Sequence, residues 1–222
     1  GSYAVLSIAG PKSRDLMNMV SSEDFSNKGF PYYTHRRVEI GPARILAARL
    51  SYIGELGWEL YIPVNESKKI YNAINEIGNK YNLVHAGRLA MDIMRMEKGY
   101  LHWGHDISPE ENPFEAGLGF AVKLNKEYDF IGKNSLVNLK SNLKKQLVML
   151  TLVNSNPGEP LLLHDEPIYF DGKIVGETTS GNYSFCYNKN IAFGYIDSKI
   201  NLSNIKKDNF EIEVAKNKYS AK

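Results

Sequence analysis

Ser51-Tyr-Ile-Gly-Glu-Leu-Gly-Trp-Glu-Leu-Tyr-Ile-Pro63 is the stretch on which the fold class turns. Gly54 and Gly57 permit a tight turn, and Trp58, Leu60 and Ile62 then alternate with Glu59 and Tyr61, the period-2 pattern of a strand with one buried face. Glu59 therefore points away from the apolar side. Upstream, Arg37 to Ile40 and Ala43 to Ser51 alternate in the same way and are parted by the turn pair Gly41-Pro42. Residues 3 to 9 form a further apolar strand. Gly10-Pro11 punctuates it, and Pro11 suits the first turn of a helix that carries Leu16, Met19 and Val20 at helical spacing. Downstream, Ser67 to Lys80 places Ile70, Ala73, Ile74 and Ile77 on the stripe of a surface helix. A second helix runs from Gly87 to Lys98, with Leu89, Ile93 and Met96 on one face, Arg88 and Asp92 paired at i, i+4, and Gly99 as its stop. Strands alternating with helices predict an α+β or α/β region up to about residue 110.

Beyond Asn112-Pro113 the pattern changes. Phe120 to Leu124 reads as a short strand, Lys133 to Leu139 as a small helix, and the polar run Lys140 to Lys145 as a linker. Short apolar runs follow at Leu147 to Val153, Glu166 to Phe170, Ile174 to Glu177, Ile191 to Tyr195 and Phe210 to Val214, which predicts an antiparallel barrel or sandwich. Asp171-Gly172 is a hairpin signal, and the small polar run Gly176 to Gly181 reads as a barrel turn. Gly1-Ser2 has the look of a cloning scar. The chain enters a strand at once and ends at Tyr219 to Lys222 with no closing element in view, so it reads as a fragment.

Composition narrows the classes. Of 222 residues 43% are hydrophobic and 23% charged, the mix of an ordinary globular protein with room for two domains. A formal charge of +2 leaves no nucleic-acid footprint, and Lys206, Lys207, Lys216, Lys218 and Lys222 are offset by Asp208, Glu211 and Glu213 as a solvated face. No apolar run approaches the roughly 18 residues of a membrane span, and no export signal opens the chain. The single cysteine, Cys186, excludes an internal disulfide framework and fits a reducing cytoplasm. It lies among Tyr183, Phe185 and Tyr187 with no adjacent histidine, a poor setting for a nucleophile. His102-Trp-Gly-His105-Asp106 lacks the converging donors a metal needs, so no metal site is expected. No phosphate-binding glycine loop occurs.

Six motifs succeed one another in order: Ser51 to Glu59, Arg95-Met-Glu-Lys-Gly-Tyr100, Trp103-Gly-His-Asp106, Pro113-Phe-Glu-Ala-Gly-Leu-Gly-Phe120, Asp129-Phe-Ile-Gly132, and Thr179-Ser-Gly181 with Asn190-Ile-Ala-Phe-Gly-Tyr195. Together they resemble the aminomethyltransferase family, which includes the glycine-cleavage T-protein. Their wording is most similar to the C-terminal folate-binding region of dimethylglycine and sarcosine dehydrogenases. The resemblance implies an α+β architecture: the later part of a folate-binding aminomethyltransferase domain over residues 3–140, then a C-terminal antiparallel β-barrel over 141–222. It implies tetrahydrofolate as cofactor and a small methylated amine as the source of a one-carbon unit, which passes to folate N5 and gives 5,10-methylenetetrahydrofolate. FAD is expected only in an N-terminal half outside this chain, and neither nucleic acid nor membrane is an expected partner.

A carboxylate accepts the adjacent N–H donors of a pterin ring as a charge-assisted bidentate pair. Glu59 matches the family's pterin-binding glutamate, and Tyr52 matches the aromatic residue of the same motif, offering a flat apolar face with a polar tip. Arg95 completes the cofactor-binding set, with Asp92 or Glu97 as its structural partner in the other reading. The arginine that many T-proteins carry before Asp92 is here Met91, so its contact does not transfer. A basic residue near the folate tail falls on or beside Gln146, with Lys144 and Lys145 adjacent, and His105 receives no role. The family's catalytic aspartate belongs to a segment preceding residue 3, so this chain is expected to hold no catalytic residue and not to turn over alone. The rival enzymes are a glycine-cleavage T-protein or another folate-dependent demethylase. A non-catalytic folate-binding module is disfavoured because Phe130-Ile-Gly-Lys133 lacks the cysteine those relatives carry nearby.

Overall fold

A computed structural model describes residues 1–203 and 209–222, so Lys206, Lys207 and Asp208 of the lysine-rich stretch lie outside the described residues. Two units are formed, Gly1–Lys98 and Gly99–Lys222. Among the described residues no helix is long and apolar enough to cross a membrane.

In the first unit, β1 (Tyr3–Ala9), β2 (His35–Ile40), β3 (Ala43–Ala48) and β4 (Gly57–Pro63) form an antiparallel sheet of order β1-β4-β3-β2. The helices α1 (Ser13–Val20) and α2 (Ser67–Gly78) supply Leu16, Met17, Ile70 and Ile74 to the core. That core also takes Ile8, Val38, Ile45, Trp58, Leu60 and Ile62 from the sheet. The alternation within β4 is as expected, with Trp58, Leu60 and Ile62 fully buried and Glu59 and Tyr61 on the opposite face. The stripe of α1 is rotated from the expected one, because Met17 is buried while Met19 is 55% exposed. Leu16 and Val20 flank either choice at helical spacing, and only the sheet decides between them. α3 (Arg88–Glu97) buries Met96 but leaves Leu89 76% exposed, and Asp92 pairs with Arg95 at i, i+3 instead of with Arg88.

The second unit opens with a stretch poor in regular structure. The strand expected over Phe120 to Leu124 is a single 3-10 turn at Gly119–Ala121, where the backbone N–H of Val122 returns to the carbonyl of Gly119. α4 (Lys133–Lys140) follows, and the expected linker shrinks to the turn before β5 (Lys145–Thr151). β6 (Pro167–Phe170), β7 (Lys173–Ser184), β8 (Lys189–Asp197), β9 (Phe210–Val214) and β10 (Asn217–Ala221) complete an antiparallel sheet of order β10-β9-β6-β7-β8-β5.

Thr151 and Lys222 exchange backbone hydrogen bonds of 2.9 and 3.0 Å, and Leu152 bridges Ala221, so the two edges meet and the sheet closes as a barrel. β10 is thus the closing element that the end of the chain did not reveal; its sequence Asn-Lys-Tyr-Ser-Ala holds only Tyr219 and Ala221 as apolar residues and carries little hydrophobic signal. Gly176 to Gly181 is likewise no turn. It lies inside β7, whose register shifts between Thr178 and Ser180, and a β-bulge bends the strand there. Asp171 and Gly172 do form the β6–β7 turn, both with positive φ (48° and 76°) as a type I′ hairpin demands.

Candidate functional site

Cross-strand register sets the surroundings of Glu59. It pairs with Ser7 on β1 and Ala48 on β3, and Ala48 pairs in turn with His35 on β2. Directly opposed residues project to the same side, so His35, Ala48, Glu59 and Ser7 make one row across the face turned away from the helices. Tyr61 occupies the next row, between Val5 and Leu46. Its hydroxyl donates to Glu59 Oε2 at 2.7 Å, and this bond to an anion, then burial, raises the phenol above the usual tyrosine range. Both side chains are half-buried.

The turn before β4 places Tyr52 half-buried, with Ser51 Oγ accepting the N–H of Ile53 at 3.3 Å. Lys98 Nζ lies 3.3 Å from Glu55 Oε1 and its aliphatic stem passes beside Gly54, at a position with φ +67°. Arg95 is only 1% exposed and its Nε donates to Asp92 Oδ1 at 2.7 Å, so the structural partnership open from the sequence is made.

Three arginines that the sequence did not single out converge on the Asp24–Phe30 loop. Arg14 and Arg49 each donate to Asn27 Oδ1 at 2.7 Å, Arg49 reaches the Phe30 carbonyl, and Arg36 reaches those of Gly29 and Asp24. Burial, and then the charge of Arg14, pulls the Arg49 guanidinium below its ordinary pKa. Among the described residues, Nε of Arg36 and Arg49 and Nε1 of Trp58 find no hydrogen-bond acceptor, and aromatic faces take that place in part: the guanidinium carbon of Arg36 is 4.3 Å from the Phe30 ring centroid and that of Arg49 is 5.8 Å from Trp58. This cluster secures the loop leading into β2.

The second unit has a cavity of about 860 Å³ lined in part by His105, Ser108, Glu111, Lys145, His164 and Tyr195. Its polar groups are largely answered by one another. Lys145 Nζ is 2.5 Å from Glu111 Oε1 and 4.7 Å from the centroid of the Tyr195 ring, while Gln146 Nε2 donates to the carbonyls of Asp197 and Ile200. In the neighbourhood assigned to the folate tail, the side chains of Lys145 and Gln146 are therefore already engaged within this unit. His102 and His105 stack at 4.5 Å and His164 lies 6.2 Å from His105. Among the described residues no group of three or more His, Cys, Asp and Glu side chains is placed to hold a metal ion.

Burial alone would raise Glu111, but hydrogen bonds from Lys145 and Ser108 outweigh it and hold the carboxyl below its usual range. A carboxyl depressed in the folded state contributes stability above its unfolded pKa of roughly 4.3 and loses that contribution as pH falls through the lower folded value. Acid titration of the unfolding midpoint should accordingly fall less steeply below about pH 4 in Glu111→Gln than in the wild type. Equal slopes would show that the pair is not formed in solution.

Three of the motifs, Trp103 to Asp106, Thr179 to Gly181 and Asn190 to Tyr195, meet within this unit. Asp106 is fully buried, accepting the backbone N–H of His102 at 2.8 Å and the hydroxyl of Thr179 at 2.6 Å, and its carbonyl accepts Tyr195 Oη at 2.9 Å. Burial and nearby carboxylates push the Tyr195 phenol far upward, so it stays a donor at all ordinary pH. The Trp-Gly-His-Asp motif was the available sequence signal for this hub, and the burial of its aspartate came only with the structure.

Comparison with known proteins gives two consecutive family matches, the first of which runs past the boundary between the two units. The GCVT N-terminal domain model matches residues 1–126 and the glycine cleavage T-protein C-terminal barrel domain model matches 145–222. The chain is 40% identical over 193 residues to dimethylglycine dehydrogenase, mitochondrial, of Homo sapiens, and 39% identical over 193 residues to sarcosine dehydrogenase, mitochondrial, of Mus musculus. Each alignment covers 86% of this chain but only 22% and 21% of those relatives, so the chain spans about a fifth of their length. The solved glycine cleavage system aminomethyltransferase T of Bartonella henselae has the same fold, with a TM-score of 0.80 at 20% identity over 99% of this chain and 57% of that one. On the match of both domain models in chain order, the protein belongs to the glycine-cleavage T-protein family.

Proposed function

We propose that the chain is the tetrahydrofolate-binding, one-carbon-transfer module of a dimethylglycine or sarcosine dehydrogenase-like flavoprotein. The observation that carries this reading is the half-buried carboxylate of Glu59, held on the sheet face turned away from the helices, within a chain related to those two dehydrogenases. An ionised carboxylate has only acceptor sites, and two of them match the adjacent N–H donors of a pterin in parallel. Tyr52, half-buried at the turn, offers an aromatic face to the ring. Arg95 takes a less direct part, because its Nε is committed to Asp92 and it acts from within the helix that carries it.

The division into a folate-binding region over 3–140 and a barrel over 141–222 belongs to the same proposal. Bound tetrahydrofolate supplies N5 as the nucleophile that accepts the one-carbon unit. The residues of this chain bind and orient the pterin, while oxidation of the methylated amine belongs to an FAD-bearing region and proton transfer to an aspartate of the preceding segment.

Calorimetric titration with 5-formyltetrahydrofolate tests the reading. Glu59→Gln keeps the shape but replaces a double acceptor by one acceptor and one donor, and should weaken binding by about 1.5 to 3 kcal/mol, roughly 10- to 150-fold. Binding unchanged by the substitution would refute the placement of the pterin. Absence of binding by the wild type would refute the claim that residues 1–222 carry the cofactor by themselves.

A further inference from the structure

We propose that Tyr61 is a positioning residue for the ligand carboxylate, its hydroxyl pinning one oxygen of Glu59 so that the other faces the open side of the sheet in a fixed plane. This inference rests on the reading of Glu59 as the pterin-binding group. Among the described residues, Tyr61 is the side chain hydrogen-bonded to Glu59, at 2.7 Å to Oε2. The flanking residues on the same row, Ser7 and Ala48, are short, and Ala48 has no polar side-chain atom to offer. A glutamate so placed has three side-chain torsions, and without a partner it samples many orientations of its carboxylate.

Tyr61 is well suited to remove that freedom. It lies two residues along the same strand, which puts its side chain on the same face, and its ring stands between Val5 and Leu46 on the adjacent strands. The ring therefore has an apolar seat of its own and brings the hydroxyl to the carboxylate from one side. A carboxylate provides about four lone-pair sites, so one donated bond leaves Oε1 and a second site on Oε2 for a bidentate ligand. Groups that bind ligands gain affinity when a neighbour has already selected the productive orientation. The sequence alone did not disclose this pairing, because i, i+2 alternation gives a shared face but not a bond.

The experiment compares Tyr61→Phe with Glu59→Gln in the same 5-formyltetrahydrofolate titration, together with the ionisation of Tyr61 followed in the ligand-free protein by NMR of ζ-carbon-labelled tyrosine. Tyr61→Phe keeps the ring and its packing and removes only the hydroxyl, so the folded stability should change little while folate affinity falls about 3- to 10-fold. In the ligand-free protein the Tyr61 phenol should titrate above the usual tyrosine range and move down toward it in Glu59→Gln. If Glu59→Gln leaves affinity unchanged, the pterin placement falls and this inference with it. If Glu59→Gln weakens binding but Tyr61→Phe does not, the pterin placement stands and only the positioning role is overturned. A Tyr61 titration that ignores Glu59→Gln would overturn the pairing itself without any reference to folate.

Discussion

Asp106→Ala should destabilise the barrel unit by about 3 to 5 kcal/mol, because it leaves buried donors without the anion they were built around. The carboxylate is fully buried and accepts His102 N–H and the Thr179 hydroxyl. Hydrogen bonds to a charged group contribute roughly 1.5 to 3 kcal/mol each, and truncation to a methyl group also opens a small polar cavity. The bond from Thr179 on β7 spans 73 positions and goes with the carboxylate, whereas the bond from Tyr195 on β8, spanning 89, ends on the Asp106 backbone carbonyl and remains, so the loss loosens the loop at 102–106 from β7. Asp106→Asn retains one acceptor oxygen and should recover part of the loss. Urea denaturation of the wild type and both variants decides the matter: a change below about 1 kcal/mol in Asp106→Ala would mean that the network is replaced by water at little cost.

Gly176→Ala should be at least as damaging, by about 3 kcal/mol or more, and for a different reason. A Cβ on Gly176 would stand 1.7 Å from the Tyr195 carbonyl oxygen and 3.0 Å from the Ile196 Cα, both backbone atoms of the paired strand β8. A flexible side chain can swing aside from such an overlap, but a ladder strand moves only by breaking its register. Gly172→Ala is the informative comparison. Its Cβ would meet nothing within 4 Å, and its φ of +76° imposes only the left-handed penalty of roughly 1 to 2 kcal/mol. Thermal unfolding should rank the two variants in that order. The reverse ranking would show that β7 and β8 separate at this point without loss of the barrel.

Both effects arise where sequence reading was weakest. Gly176 to Gly181 looks like a turn because small polar residues usually punctuate strands, yet here glycine marks the close approach of two backbones inside a long bulged strand. Phe120 to Leu124 carries the composition of a strand, but among the described residues no strand pairs with it, and its start closes on itself as a 3-10 turn at Gly119–Ala121. Composition reports that a segment is suited to a ladder, while the partner that completes the ladder is chosen elsewhere in the chain. Helical stripes fared better, with α2 placed as expected. In α1, adjacent Leu16 and Met17 straddle the boundary of the stripe, and packing alone selects Met17 over Met19.

Among the residues proposed to bind the cofactor, the facing of Glu59 was legible because period-2 alternation is a property of the strand itself. Its bond to Tyr61 was not, since sharing a face does not set side-chain torsions. Arg95 was recognisable as a family position, but whether it turns outward or toward Asp92 depends on how α3 packs, and it is buried.

What this sequence determines without help is therefore local: the alternation of β4, the stripes of α2 and α4's short span, the Asp171-Gly172 hairpin, and an ordered set of motifs sufficient to identify the family. What only the tertiary structure decides is nonlocal: β10 closing against the end of β5, the row that sets Glu59 between Ser7 and Ala48, and the meeting of Asp106 with Thr179 and Tyr195. Local periodicity follows from backbone geometry over a few residues, whereas register, closure and buried partners follow from which distant segments exclude water together.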